Sequence, residues 1–195
     1  MKKFLLAFIL NVAFFSTSFA LSENYTLDPS HSYVEFHINH FGYSNPSGKW
    51  LASGTLNLDE NKLQNSSVNI SIPIKDVITG IPKLDEHLQS ADFFDSAKYP
   101  TATFVSTKVL AGKNHTFIIN GILTLHGISK PVSLKATQNK IAVNPMFKVK
   151  VAGFSAVTKI KRSDFGIKAY IPDLADEVIL NIEVEAHLDA VKSNK

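Results

Sequence analysis

Apolar side chains recur at every second position along most of this chain, and a period of two commits a backbone to extended strands. Val34, Phe36, Ile38 and His40 share one face of the first such run, with Tyr33, Glu35, His37 and Asn39 on the other. Further rows are Trp50, Ala52, Gly54, Leu56 and Leu58, then Val68, Ile70, Ile72 and Ile74, then Ala102, Phe104 and Ser106. After them come Phe117, Ile119, Gly121, Leu123 and Leu125, then Val132, Leu134 and Ala136, then Phe147, Val149 and Val151. The longest row closes the chain: Val178, Leu180, Ile182, Val184, Ala186 and Leu188. Turn-forming stretches such as DENKLQNSS, AGKN and LHGISKP separate the rows, so the pattern predicts about eight mostly antiparallel strands. One helical segment interrupts them at 81–95, with Pro82 at its entry and Leu84, Leu88 and Ala91 spaced for one face. Such a chain closes as a sandwich or a barrel, and a barrel of about eight strands is just wide enough to be filled by side chains or to hold one small ligand. Parity alone does not choose between a filled and a hollow interior.

The first twenty residues, MKKFLLAFILNVAFFSTSFA, set two lysines before an apolar run and end in Ser-Phe-Ala. This is the pattern of a cleaved export signal, too short for a membrane anchor. Residues 1–20 are therefore read as a signal peptide and 21–195 as a single exported domain. Losing Lys2 and Lys3 takes the formal charge from +3 to +1, which leaves no electrostatic basis for a nucleic-acid partner. There is no cysteine, so the exported domain is held by its core without disulfides. The sequons at Asn24, Asn65, Asn69 and Asn114 are read as chance in a chain rich in Asn and Ser.

The stretch HSYVEFHINHFGY brings His31, His37 and His40 close in sequence, yet residues three apart on a strand point to opposite faces. His37 and His40 therefore cannot chelate together, and no metal site is expected. His40 shares the face of Phe36 and Ile38, which makes it the head-group candidate for a ligand inside the barrel, set against the plainer reading of a hydrogen-bonded strand-end histidine. His87, His115 and His187 read as solvated, and His126 as a turn residue before Gly127. Asp28, His31 and Ser32 lack the nucleophile elbow of a hydrolase, and the DFG of SDFGI stands without a phosphate loop. No catalytic or cofactor motif is present, and the chain is not expected to be an enzyme.

Four motifs then occur in order: YTLDPSHSYVEFHINHFGYSNPSGKW, DEHLQSADFFDSAKYPTATFVS, GILTLHGISKPVSL and RSDFGI. Together they resemble the YceI-like family of bacterial periplasmic proteins over about Tyr25 to Leu188. The resemblance implies a lipocalin-like, eight-stranded antiparallel β-barrel with an inserted short helix and an elongated apolar cavity. Members hold long amphiphiles such as polyisoprenoids, isoprenoid quinones and fatty-acid amides, and are often dimeric. The matching positions are His31, Ser32, His40, Asp85, His87, Leu88, Ser90, Phe93, Phe94, Asp95, Arg162, Ser163, Asp164, Phe165 and Gly166. Trp50 departs from the pattern, which more often has Phe there.

The expectation is a periplasmic protein that sequesters or carries a polyisoprenoid, isoprenoid quinone or fatty-acid-like amphiphile. The ligand would lie against Phe36, Ile38, Trp50, Phe104, Phe117, Ile119, Leu123, Val149, Ile182 and Val184, with His40 and Arg162 as polar contacts. Arg162 and Asp164, two residues apart, also read as a structural ion pair. The alternative is a stress-related interaction protein whose barrel is a filled scaffold.

Overall fold

A computed structural model describes residues 22–190, so the expected signal at 1–20 lies outside the described residues. The chain forms one sheet of ten strands: β1 (Glu23–Leu27), β2 (Tyr33–His40), β3 (Ser47–Leu51), β4 (Ser53–Leu58), β5 (Ser67–Pro73), β6 (Thr101–Ala111), β7 (Thr116–Leu125), β8 (Ile128–Val143), β9 (Lys150–Lys161) and β10 (Leu174–Leu188). Consecutive antiparallel pairing runs from β4 to β10, and β1 pairs with both β4 and β10, which closes the sheet. Ten segments make eight staves because two staves are broken. β2 and β1 follow one another along β10, and β3 and β4 follow one another along β2 and β1. The barrel is therefore the eight-stranded antiparallel one that the resemblance implied.

Ser32 repairs the first break. Its Oγ donates to the Glu185 carbonyl at 3.0 Å and accepts the Glu185 N–H at 3.2 Å, while Asp28 N–H reaches the same carbonyl at 2.8 Å. At the second break the Ala52 N–H bonds the Ser32 carbonyl at 2.9 Å. Buried backbone polar groups must find partners, and one hydroxyl restores the ladder where the strand leaves it. Ser32 is accordingly fully buried.

Register irregularities lie between Ser106 and Lys108 in β6 and between Gln138 and Lys140 in β8. An extra residue flips the parity beyond it, so the inward row of β6 passes from Ala102 and Phe104 to Val109. Strand β9 corrects the expectation for Val149. That residue lies in the turn before the strand, and the inward row is Ala152, Phe154, Ala156 and Ile160. The row Phe147, Val149, Val151 took its phase from turn residues, and a slip of one residue exchanges the two faces.

The two ends of the barrel differ. At one end Tyr25, Leu27, Leu56, Leu58, Ala152 and Ala186 pack into a closed floor. Lys150 bridges Glu23 at 2.6 Å and also pairs with Glu60 beside this floor, and burial with the Glu23 hydrogen bond pushes the Tyr25 phenol up to about 12. The other end is covered by the long connection from β5 to β6. Lys49 and Ile78 exchange backbone hydrogen bonds of 2.9 Å, and the Trp50 indole N–H donates to the Ile74 carbonyl at 3.0 Å, which ties this connection to β3. Within it lies α1 (Pro82–Gln89), shorter than the 81–95 segment expected. Proline at the first helical position suits its fixed φ, and Asp85 accepts the Thr79 N–H at 2.8 Å and the Thr79 hydroxyl at 2.6 Å. Leu84 and Leu88, four apart, face the barrel, whereas Ala91 lies beyond the helix and is exposed.

Arg162 is 5 % exposed and bonds no carboxylate. Its Nε donates to the Ala175 carbonyl at 2.9 Å, one terminal nitrogen to Leu174 at 2.9 Å and the other to Ile167 at 3.3 Å. The expected partner Asp164 is exposed. The nearby carboxylate is Asp176, which accepts the Ser163 N–H at 2.8 Å and hydroxyl at 2.7 Å. Burial pushes the guanidinium pKa down and the Asp176 charge opposes that. Arg162 thus pins the loop 166–173 to the start of β10. Replacing it with Met strands three carbonyls, and the expected loss is on the order of 2–4 kcal/mol, read as a lower denaturant midpoint at unchanged m-value.

Outside the barrel, His31 Nδ1 lies 2.7 Å from the Asp28 carboxylate. His187 points outward as expected, but it is half-buried, with Nε2 3.8 Å from the same carboxylate and without a hydrogen-bond partner among the described residues. The Asp28 hydrogen bond raises the His31 pKa, and His31 lowers that of Asp28. The histidine's contribution is full below its unfolded value of about 6.5 and fades as pH rises through the higher folded value, while the aspartate's fades as pH falls below about 3.9. The pair therefore stabilises most between roughly pH 4 and 6.5. An NMR titration of His31 is expected to give a midpoint above the ordinary histidine value, returning to it in Asp28→Asn.

Candidate functional site

Inside a solid barrel an inward side chain is sealed by those facing it. Here Phe36, Ile38, Phe154, Ala156, Leu180, Ile182 and Val184 lie on inward rows yet stay partly accessible. They face a void. The void consists of an outer chamber of about 560 Å³ beneath the β5–β6 connection and an inner chamber of about 130 Å³ deeper in the barrel. Val34, Ile72, Leu123 and Leu180 line both chambers and form the neck between them. The filled scaffold therefore does not describe this interior.

The inner chamber is apolar on all sides. Phe104, Phe117, Ile119, Leu134, Phe154, Ile182 and Val184 form much of its wall, and its polar side chains are the hydroxyls of Ser66, Ser67, Ser155 and Thr158. No charged residue lines it. Water in such a space finds almost no hydrogen-bond partners, which favours a hydrocarbon occupant.

The outer chamber is mixed. Phe36, Trp50, Phe93 and Phe94 supply aromatic walls, with Trp50 centred 5.4 Å from Phe36 and 5.2 Å from Phe94. Two inward rings occupy room left by missing side chains on the neighbouring strand. Phe36 lies over Gly48, and Phe104 over Gly121, so that a Cβ at either glycine would strike the ring. The polar groups of its lining include His40, Ser44, His87, Arg162 and Tyr170. His87 is 43 % exposed by side chain and stands edge-on to Phe93, with ring centroids 5.0 Å apart.

Of the residues singled out in the sequence, Phe36, Ile38, His40, Trp50 and Arg162 line the outer chamber. Phe104, Phe117, Ile119, Ile182 and Val184 line the inner one, Leu123 lines both, and Val149 lines neither. His37 projects the other way and lies 3.1 Å from Glu35. Sequence reasoning missed Val109 and Phe154, which strand irregularity and the β9 phase concealed. It also missed Leu63, which reaches the inner chamber from the β4–β5 connection, outside any alternating row.

A YceI-like domain family model matches residues 25–186. Protein YceI of Escherichia coli O157:H7 is 40% identical over 193 residues, covering 95% of this chain and 97% of that protein. The solved YCEI protein of Campylobacter jejuni superposes with a TM-score of 0.70 at 34% identity, over 78% of this chain and 91% of that one. A polyisoprenoid binding domain from Saccharophagus degradans, implicated in plant cell wall breakdown, has a TM-score of 0.67 over 87% of this chain and 99% of that one. At 16% identity it shares the fold alone. Matched across nearly all of its barrel by the family model and at 40% identity by a relative aligned over almost the whole of both chains, this chain belongs to the YceI-like family.

Proposed function

We propose that this protein is a binding protein for a long amphiphile of isoprenoid type, a polyisoprenoid or isoprenoid quinone, carried through the periplasm with its tail inside the barrel. The observation that carries this reading is a pair of adjoining chambers that share the wall of Val34, Ile72, Leu123 and Leu180, the inner one apolar and the outer one with a mixed lining. Its size falls in the range of about 300–1,000 Å³ typical of small-molecule sites. A solved protein of the same fold is described as a polyisoprenoid binding domain, which is in keeping with this reading.

Binding of this kind needs no catalytic group. Each buried methylene gains about 0.8 kcal/mol on leaving water, so one five-carbon unit gains roughly 3–4 kcal/mol before the cost of ordering a flexible tail. The inner chamber and neck take the tail, against Phe104, Phe117, Ile119, Leu123, Ile182 and Val184. Phe36, Ile38 and Trp50 hold the first units, and His40 with Arg162 meets the head group. The Arg162 guanidinium spends three N–H groups on carbonyls, which leaves two for an acceptor on the ligand.

Lipid extraction of the freshly purified protein followed by mass spectrometry is expected to yield one amphiphile per barrel. A protein that is consistently empty, and that takes up no added prenol or quinone, would overturn the reading. Ala156, an inward residue of β9 opposite Ile182, offers a second test. Ala156→Trp fills the inner chamber, and displacing one isoprene unit is expected to weaken binding about 100-fold by fluorescence titration while the circular dichroism stays that of a β-barrel.

A further inference from the structure

The deep end of the inner chamber is not closed by strands alone. Leu63 enters it from a one-turn 3-10 segment, Leu63–Asn65, in the connection between β4 and β5. Its side chain is half-buried and packs against both the floor cluster and the cluster of Val109, Phe117 and Ala136. A connection on a barrel rim has no sheet partners to fix it, so something else must hold a leucine there.

Asp59 does so. It is 4 % exposed, and its carboxylate accepts the Asn61 N–H at 3.0 Å, the Lys62 N–H at 2.8 Å and the Asn65 side-chain amide at 2.9 Å. The Asp59 N–H in turn donates to Ser66 Oγ at 3.0 Å, and Ser66 N–H bonds the Leu63 carbonyl at 2.9 Å. The connection is thus tied into a small closed unit whose one inward apolar side chain is Leu63. Beside it, Asn61, Lys62, Gln64 and Asn65 are exposed, so solvent lies directly behind this leucine. The floor beside it is different, because Leu56 and Leu58, which line the chamber there, are strand residues backed by the fully buried Tyr25, Ala152 and Ala186 rather than by solvent.

We infer that Leu63 is the stop that sets the longest tail the barrel accepts, an inference that rests on the tail-binding reading above. A tail advancing through the neck meets a rigid floor on one side and Leu63 on the other. Of the two, Leu63 is the one held by a connection instead of a strand ladder, with solvent behind it into which the chamber can extend. Removing its branched end lengthens the chamber toward solvent, and a larger side chain shortens it.

The test offers the purified full-length protein a mixture of farnesol, geranylgeraniol and solanesol and reads bound species by native mass spectrometry. Leu63→Ala is expected to shift the bound ratio toward the longer prenols, and Leu63→Trp toward the shorter, each by at least about fivefold, the free-energy equivalent of a few methylenes after the ordering cost. Leu63→Phe serves where the Trp variant does not fold. Opposite shifts from one position are not produced by general destabilisation, which lowers all species together. If the wild type retains none of the prenols, the tail-binding reading fails. If the wild type binds them and the variants keep its ratio, shift in the same direction or lose all lengths equally, the stop is elsewhere and the inference is overturned.

Discussion

Closure of the sheet through β10 is the constraint on which everything else in this molecule rests. That strand pairs with β9 along one edge, and with β2 and then β1 along the other. It is the common wall of both chambers, through Leu180 in the neck and Ile182 and Val184 deeper in. Because a closed sheet has no free edge over the closed span, every inward side chain is held at a fixed distance from the axis. A void survives only where those side chains are too short to meet there. The barrel is hollow because small residues recur on its inward rows, among them Ala52, Ala136 and Ala156.

The ends are built on different principles, and the difference gives the cavity its polarity. The floor is made of strand residues that interlock, with the Glu23, Glu60 and Lys150 charges outside it. The opposite end is covered by a long connection that carries α1, anchored to β3 by the Lys49–Ile78 bridge and the Trp50 indole. An attachment of so few hydrogen bonds is weaker than a strand ladder, and the larger chamber lies beneath it. For the tail-binding function proposed above, that end is the route of entry.

Much of the architecture was legible because strands reveal themselves through parity, and parity here is nearly unbroken. The row from Val178 to Leu188 could be read at once, as could that from Phe117 to Leu125. What misled was phase. The row through Val149 draws its phase from turn residues, whereas β9 begins one residue later, and Val109 lies beyond an irregularity that reverses the row. Arg162 stands out in the sequence as a charge beside the last strand, but its partners are backbone carbonyls from the 167–175 stretch, which no side-chain pattern announces. Leu63 was invisible for the same reason, since a residue in a connection has no period. Parity says which way a side chain points and nothing about whether another meets it, so the hollowness of the barrel is not written in the pattern.

The seam of the barrel joins the beginning of the chain to its end: Tyr25 sits opposite Leu188, and Leu27 opposite Ala186. A polypeptide emerging from its N-terminus first cannot complete this ladder until nearly all of it has been released. Its contact order is correspondingly high, which places its folding among the slow, non-local β topologies. A product that stops short of Leu174 would keep β1, β2 and β9 as raw edges, each able to pair with another chain.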